Sequence, residues 1–155
     1  MKNKIIAVVG ILVIVVGTFA TVKKVSPLSW GMWGNYNTAS GIALKGYDPV
    51  AYIQDSEAKP GNSEFTVAWG DANWQFTSAK NMTLFEQDPE AYAPQFGGFC
   101  SFAASKGFTA DSSTDAWHVL DGKLYVFADK NVQADWVAGI DGGTLEASIA
   151  NWDKH

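Results

Sequence analysis

The sequence predicts an α+β fold, a small antiparallel sheet of two hairpins packed with several short helices and preceded by an N-terminal hydrophobic helix. Three observations carry that prediction. Two pairs of β-prone runs, "EFTVAW" with "NWQF" and "AWHVL" with "KLYVF", are each joined by a tight polar turn. Segments with helical apolar spacing and a capping side chain follow each pair. The chain also opens on a long uncharged run, "IIAVVGILVIVVGTFA". With 155 residues, 47% of them hydrophobic and 14% aromatic, there is material for one domain with a substantial core.

Lys2 and Lys4 precede the apolar run from Ile5 to Ala20, a pattern the export machinery reads. Thr18-Phe19-Ala20 offers small residues at the spacing of a signal-peptidase site. Extended through Val22, the run also reaches the roughly 17–25 residues that span a bilayer. Residues 1–22 are therefore expected to be a signal peptide or a membrane anchor, with no cysteine following for lipid attachment. Residues 23–42, which include "PLSWGMWGNYNTASG", read as a linker. Trp30, Trp33 and Tyr36 either suit a membrane interface or are incidental to a Gly/Ser/Asn-rich stretch. The domain then covers 43–155 and belongs to the cell envelope. It is anchored through the N-terminal helix on the periplasmic or extracellular side, or secreted if the signal is cleaved.

Within that domain, Phe65, Val67 and Trp69 alternate with Glu64, Thr66 and Ala68, as in a half-buried strand. "GDA" turns the chain, and Trp74 and Phe76 share one face of the returning strand. Thr77 or Ser78 can cap a helix that carries Met82 and Phe85 inward and stops at Pro89. Asp121-Gly122 is the strongest short hairpin signal in the chain. Counting outward from a two-residue loop pairs Leu120 with Lys123, Val119 with Leu124, His118 with Tyr125 and Trp117 with Val126. Cross-strand partners share a face. Trp117, Val119, Leu124 and Val126 thus make a core face, and His118, Leu120, Tyr125 and Phe127 a mixed face able to line a cleft. Asp129 caps a helix ended by Gly139. Thr144 caps a last helix that presents Leu145, Ile149 and Trp152 on one side.

Taken together, "ALKGYDPVAYI", "WQFTSAKNMTLFEQDPEAYAPQFGGFC", "AWHVLDGKLYVF" and the closing "ANW" resemble the exported bacterial proteins built around a YHS domain. The resemblance runs from Ala43 to Trp152. YHS domains are similar to small metal-binding modules of the TRASH type, often attached to heavy-metal transporters and sensors. Those modules carry cysteines in the stretches matching "GYDPVAY" and "FTSAKN", where this chain has no thiol. A structural zinc site wants four Cys or His ligands, and the chain holds one Cys and two His. The resemblance therefore implies the module's shape without its metal cage. It also implies that the Gly97-Gly98-Phe99-Cys100 block is a hallmark of the exported subgroup.

Cys100 is the central candidate. It reads either as a small apolar core residue or as a thiol at a helix start, where the dipole and unpaired N–H groups favour the thiolate. Gly97 and Gly98 free the backbone before it and let a ligand approach the main chain. With His118, and with Met82 if that side chain joins them, Cys100 would make a soft metal site suited to copper as Cu(I). The plainer reading of His118 is a hydrogen-bonded strand residue beside Tyr125, and that of Met82 is core. His155 is discounted as a terminal residue. Asp48 is either a local turn former or, with Tyr47, Gly97, Gly98 and Tyr125, part of a ligand cleft. An aromatic pocket is what a small-ligand site would look like.

A net charge of −5 with no basic stripe argues against nucleic acid as a partner, and against anionic membrane surfaces for the folded part. No nucleophile elbow, phosphate loop, dinucleotide fingerprint or zinc-protease pair is present. The sequence thus predicts a non-catalytic binding module for a small ligand or a soft metal ion, copper by preference. Two other readings stand beside it: a thiol-dependent redox enzyme using Cys100, and a structural accessory module with an inert cysteine. The sequence names no protein partner.

Overall fold

The computed structural model describes residues 16–154. Most of the run expected as signal or anchor lies outside the described residues. Residues 16–22 are helical, and among the described residues no helix is long and apolar enough to cross a membrane. The fold is α+β. Its first part holds β1 (Ser26–Pro27), β2 (Thr38–Ala39), β3 (Ile42–Ala43), α1 (Pro49–Gln54), β4 (Asn62–Trp69) and β5 (Ala72–Phe76). There follow α2 (Ala79–Gln87), α3 (Pro89–Tyr92), α4 (Ser101–Ser105), β6 (Phe108–Thr109), β7 (Trp117–Leu120), β8 (Lys123–Val126), α5 (Lys130–Ala138) and α6 (Thr144–Trp152).

Both expected hairpins form, but in separate sheets. β4 and β5 pair antiparallel, with Val67 opposite Trp74 and Trp69 opposite Ala72. β3 joins β5 in parallel and β2 joins β3, giving the order β2-β3-β5-β4. Among the described residues β7 and β8 pair only with each other, in the register the turn dictates, Trp117 to Val126 through Leu120 to Lys123. Asp121 and Gly122 both have positive φ, 51° and 75°, the backbone of a type I′ turn whose twist matches its strands. β1 and β6 make a third small pair. The single sheet of two hairpins is thereby corrected to three small sheets among the described residues.

The second hairpin is buried on both sides, and this accounts for the separation. Leu124 and Val126 enter one core with Val50, Tyr52, Trp74, Phe76 and Phe85. Tyr125 and Phe127 enter another with Phe96, Cys100, Ala104 and Trp136. β7 and β8 therefore form a wall between two cores. The face expected to be mixed is core at Tyr125 and Phe127, whose rings lie 4.9 and 5.3 Å from that of Trp136, while His118 and Leu120 are half-buried.

Helix starts follow their caps. Ser78, rather than Thr77, caps α2 by accepting from the Asn81 N–H at 3.2 Å. Asp129 caps α5 through the N–H groups of Asn131 and Val132, both at 2.9 Å. Pro89 ends α2 and opens α3, where its missing N–H has no helical partner to lose. The turn expected at Asp48-Pro49 continues into α1, capped by Asp48. On α6, Gly143 replaces Thr144 at the cap position, and the buried side centres on Ser148 (0% exposed) rather than Ile149 (45%). A small residue there lets α6 settle against α4. The Ser148 hydroxyl lies 3.0 Å from the Ser101 carbonyl and accepts from Trp136 Nε1 at 3.2 Å.

The expected linker is part of the fold. β1 pairs with β6, Ser26 and Leu28 are buried, and the Asp111 N–H donates to the Lys23 carbonyl at 2.7 Å. Tyr36 packs between Trp69 and Trp74, 5.3 Å from each ring, while Trp30 is 66% exposed.

Candidate functional site

The Gly97-Gly98 block does admit a close approach, and the protein's own residues 35–37 fill it. Gly97 has φ 59°, and a Cβ there would lie 1.9 Å from the Asn35 carbonyl oxygen. The Asn37 N–H donates to the Gly97 carbonyl at 2.7 Å. Asn37 Nδ2 and Ser112 Oγ donate to the Gly98 carbonyl at 3.1 and 2.8 Å. Asp111 continues this polar seam, accepting from Asn37 Nδ2 and Lys45 Nζ at 3.0 Å each. Burial works to raise the Asp111 carboxyl, but the hydrogen bonds from Asn37 and Lys45 and the Lys45 charge outweigh it and hold it below its ordinary range. Phe96, just before the glycines, takes the left-handed conformation (φ 55°, ψ 38°), which costs roughly 1–2 kcal/mol. Such strain persists where surroundings over-determine it, as they commonly do at ligand sites. Here Tyr125 and Trp152 both hold the Phe96 ring, at 5.9 Å.

Cys100 is 2% exposed and stands at the cap position of the single-turn helix α4. Burial pushes its thiol pKa up, against the opposing pull of the Ala103, Ala128 and Phe102 N–H groups. A buried, protonated thiol among aromatic rings packs as a small hydrophobe. His118 faces Tyr125 across the hairpin and lines a shallow pocket with Lys130, Gln133 and Val137 of α5, without Cys100. Met82 packs on the first core and Cys100 lies in the second. Among the described residues, no group of three or more His, Cys, Asp and Glu could hold a metal ion. His155 lies outside the described residues.

Asp48 is fully buried. One carboxylate oxygen accepts from the N–H groups of Val50 and Ala51 at 2.9 and 3.3 Å. The other accepts from the Thr77 N–H, Thr77 Oγ1 and Asn81 Nδ2 at 2.8, 2.7 and 2.7 Å. The stretches "GYDPVAY" and "FTSAKN" thus meet at a carboxylate. Five donors occupy its acceptor sites and leave none for a ligand. Tyr47 packs beside it on the first core. The sequence-predicted ligand residues therefore divide: Tyr47 and Asp48 serve the first core, and Gly98 serves the seam with Asn37.

Gly97 and Tyr125 come together elsewhere. With Phe96 and Trp152 they border an open cleft of about 330 Å³, across which stand Tyr36 and Trp69. Ala93 and Pro94 also line it, and Glu90, Asp153 and Lys123 are charged lining groups that stand exposed. Burial, then the charges of Asp71 and Glu90, hold the Tyr36 phenol above its ordinary range. The lining carries no Cys, His, Ser or Thr; its polar side chains are those of Tyr36, Trp69, Glu90, Gln95, Lys123, Tyr125, Trp152 and Asp153. Tyr36, Trp69, Glu90 and Trp152 escaped sequence reasoning as cleft residues. The one signal was an excess of tryptophans, which their pattern assigned to the core. A larger cavity, about 450 Å³, lies where Phe19, Lys23 and Val25 meet Lys45, Asp111 and Asp129. Its Lys45 and Asp111 are already paired with each other.

No family model, curated protein or solved structure matches the chain.

Proposed function

We propose that this protein is a non-catalytic binding module of the cell envelope, tethered by or released from its N-terminal apolar run, and that it takes a small organic ligand in the aromatic cleft beside Gly97. The observation that carries this reading is the lining: five aromatic side chains and three charged groups converge on a recess of about 330 Å³. Polar and apolar surface share the recess in similar measure, and polar groups set among aromatic side chains can orient a small ligand. The YHS resemblance from Ala43 to Trp152 supports the assignment to a binding module. Of the two ligand classes the sequence suggests, the small molecule is favoured over copper, because Cys100 is buried and protonated and Met82 belongs to the other core. The same burial weighs against a thiol-dependent enzyme.

The rival is a structural accessory module with an inert cysteine, which the saturated Asp48 node favours. A cleft-filling variant separates the two. Ile149 is exposed and borders the cleft, so Ile149→Trp fills the recess without disturbing a core. Saturation-transfer NMR with a mixed set of small cationic, neutral and anionic compounds is expected to detect binding in the wild type and lose it in Ile149→Trp. Binding that survives the filling would place the ligand outside the cleft and overturn the cleft assignment, and no binding at all would favour the structural rival.

A further inference from the structure

We infer that the cleft beside Gly97 takes an organic cation of the methylated-ammonium class. This rests on the cleft being the ligand site. Half-buried Tyr36, Trp69 and Trp152 line it together with the almost fully buried Phe96 and Tyr125, and aromatic faces attract cations through their negative potential. Glu90 and Asp153 outnumber the one ammonium group, Lys123, in a chain of net charge −5.

That charge balance repels an anionic ligand. A neutral apolar ligand would use the aromatic lining but gain nothing from the carboxylates. A bare metal ion needs a shell of several oxygen, nitrogen or sulfur ligands, and no described group of three or more His, Cys, Asp and Glu supplies one. A cation whose charge is spread beneath methyl groups uses both the aromatic surface and the carboxylates. The Tyr36 phenol reports the same negative field, since the charges of Asp71 and Glu90 add to burial in holding its proton. The cavity of about 330 Å³ also lies at the small end of ligand sites, as suits a compact cation.

Choline and 3,3-dimethylbutan-1-ol share a shape and differ in charge. Titrated into the full chain in a non-ionic detergent and followed by tryptophan fluorescence, choline is expected to bind at least about tenfold more tightly than the alcohol. The double variant Glu90→Gln, Asp153→Asn is expected to weaken choline by about three- to fivefold and leave the alcohol unchanged. Both residues are exposed, and an unchanged melting curve confirms that the variant folds. Equal affinity for the two probes, or choline binding insensitive to the double variant, would overturn the cation assignment while leaving the cleft as a ligand site. If neither probe binds but saturation transfer places another compound in the cleft, the cation class alone falls. If that experiment is also silent, the underlying reading falls with it.

Discussion

Asp48 and the cleft beside Gly97 carry similar sequence signals, a turn-forming residue next to aromatics, and the fold brings them to opposite ends. At Asp48, folding uses everything the residue offers: two donors from the start of α1 and three from Thr77 and Asn81. At Gly97, folding uses only the backbone, which residues 35–37 clasp, and the neighbouring aromatic surface stays open beneath a charged rim. A buried polar group whose partners are all internal builds structure. A recess lined by aromatic and charged groups is where the proposed reading puts recognition.

The most forceful way to break this contrast is Asp48→Asn. An amide turns one acceptor oxygen into a donor and sets it against N–H groups already pointing inward, leaving donors unpaired at about 1–3 kcal/mol each. Urea denaturation is expected to show a loss of about 3–5 kcal/mol, and a loss below about 1 kcal/mol would mean that the carboxylate is no hub. Gly97→Ala comes next. Its methyl would strike the Asn35 carbonyl at a backbone angle costly for alanine, for an expected loss of about 2–4 kcal/mol. An unaffected variant would undo the clasp.

Cys100→Ala should be mildest, about 1 kcal/mol of lost burial. Because burial raises the folded thiol pKa, its share of stability is complete below the unfolded value of about 8.5 and is lost as pH rises toward the folded one. Wild-type stability should therefore decline above about pH 8.5 more steeply than that of Cys100→Ala. Rapid alkylation of the native thiol at neutral pH would instead return Cys100 to the list of reactive groups.

What could be read from the sequence was local. Asp121-Gly122 dictated the full register of β7 and β8, and Asp129 dictated the start of α5, because each signal acts within a few residues. The choice between Ile149 and Ser148 on α6 was not local, since both fit helical spacing and the approach of α4 decides it. The two-core arrangement was hidden for the same reason: alternation along β7 and β8 cannot show that a second set of helices covers the far face. Of the site, Gly97 and Tyr125 were legible from turn chemistry and register. Tyr36 was not, because nothing in "WGNYN" announces the Asn37–Gly97 hydrogen bond that draws it in. The burial of Cys100 likewise depends on Phe127 and Trp136, distant in sequence.

The most direct test maps binding onto the backbone. In a ¹H–¹⁵N spectrum of the isotopically labelled chain titrated with choline, the amides of Gly97, Lys123, Tyr125 and Asp153 and the indole N–H groups of Trp69 and Trp152 are expected to shift together. Those of Val50, Thr77 and Cys100 should stay still. Shifts centred on Cys100 and His118, or on Asp48 and its partners, would contradict the assignment of recognition to the cleft.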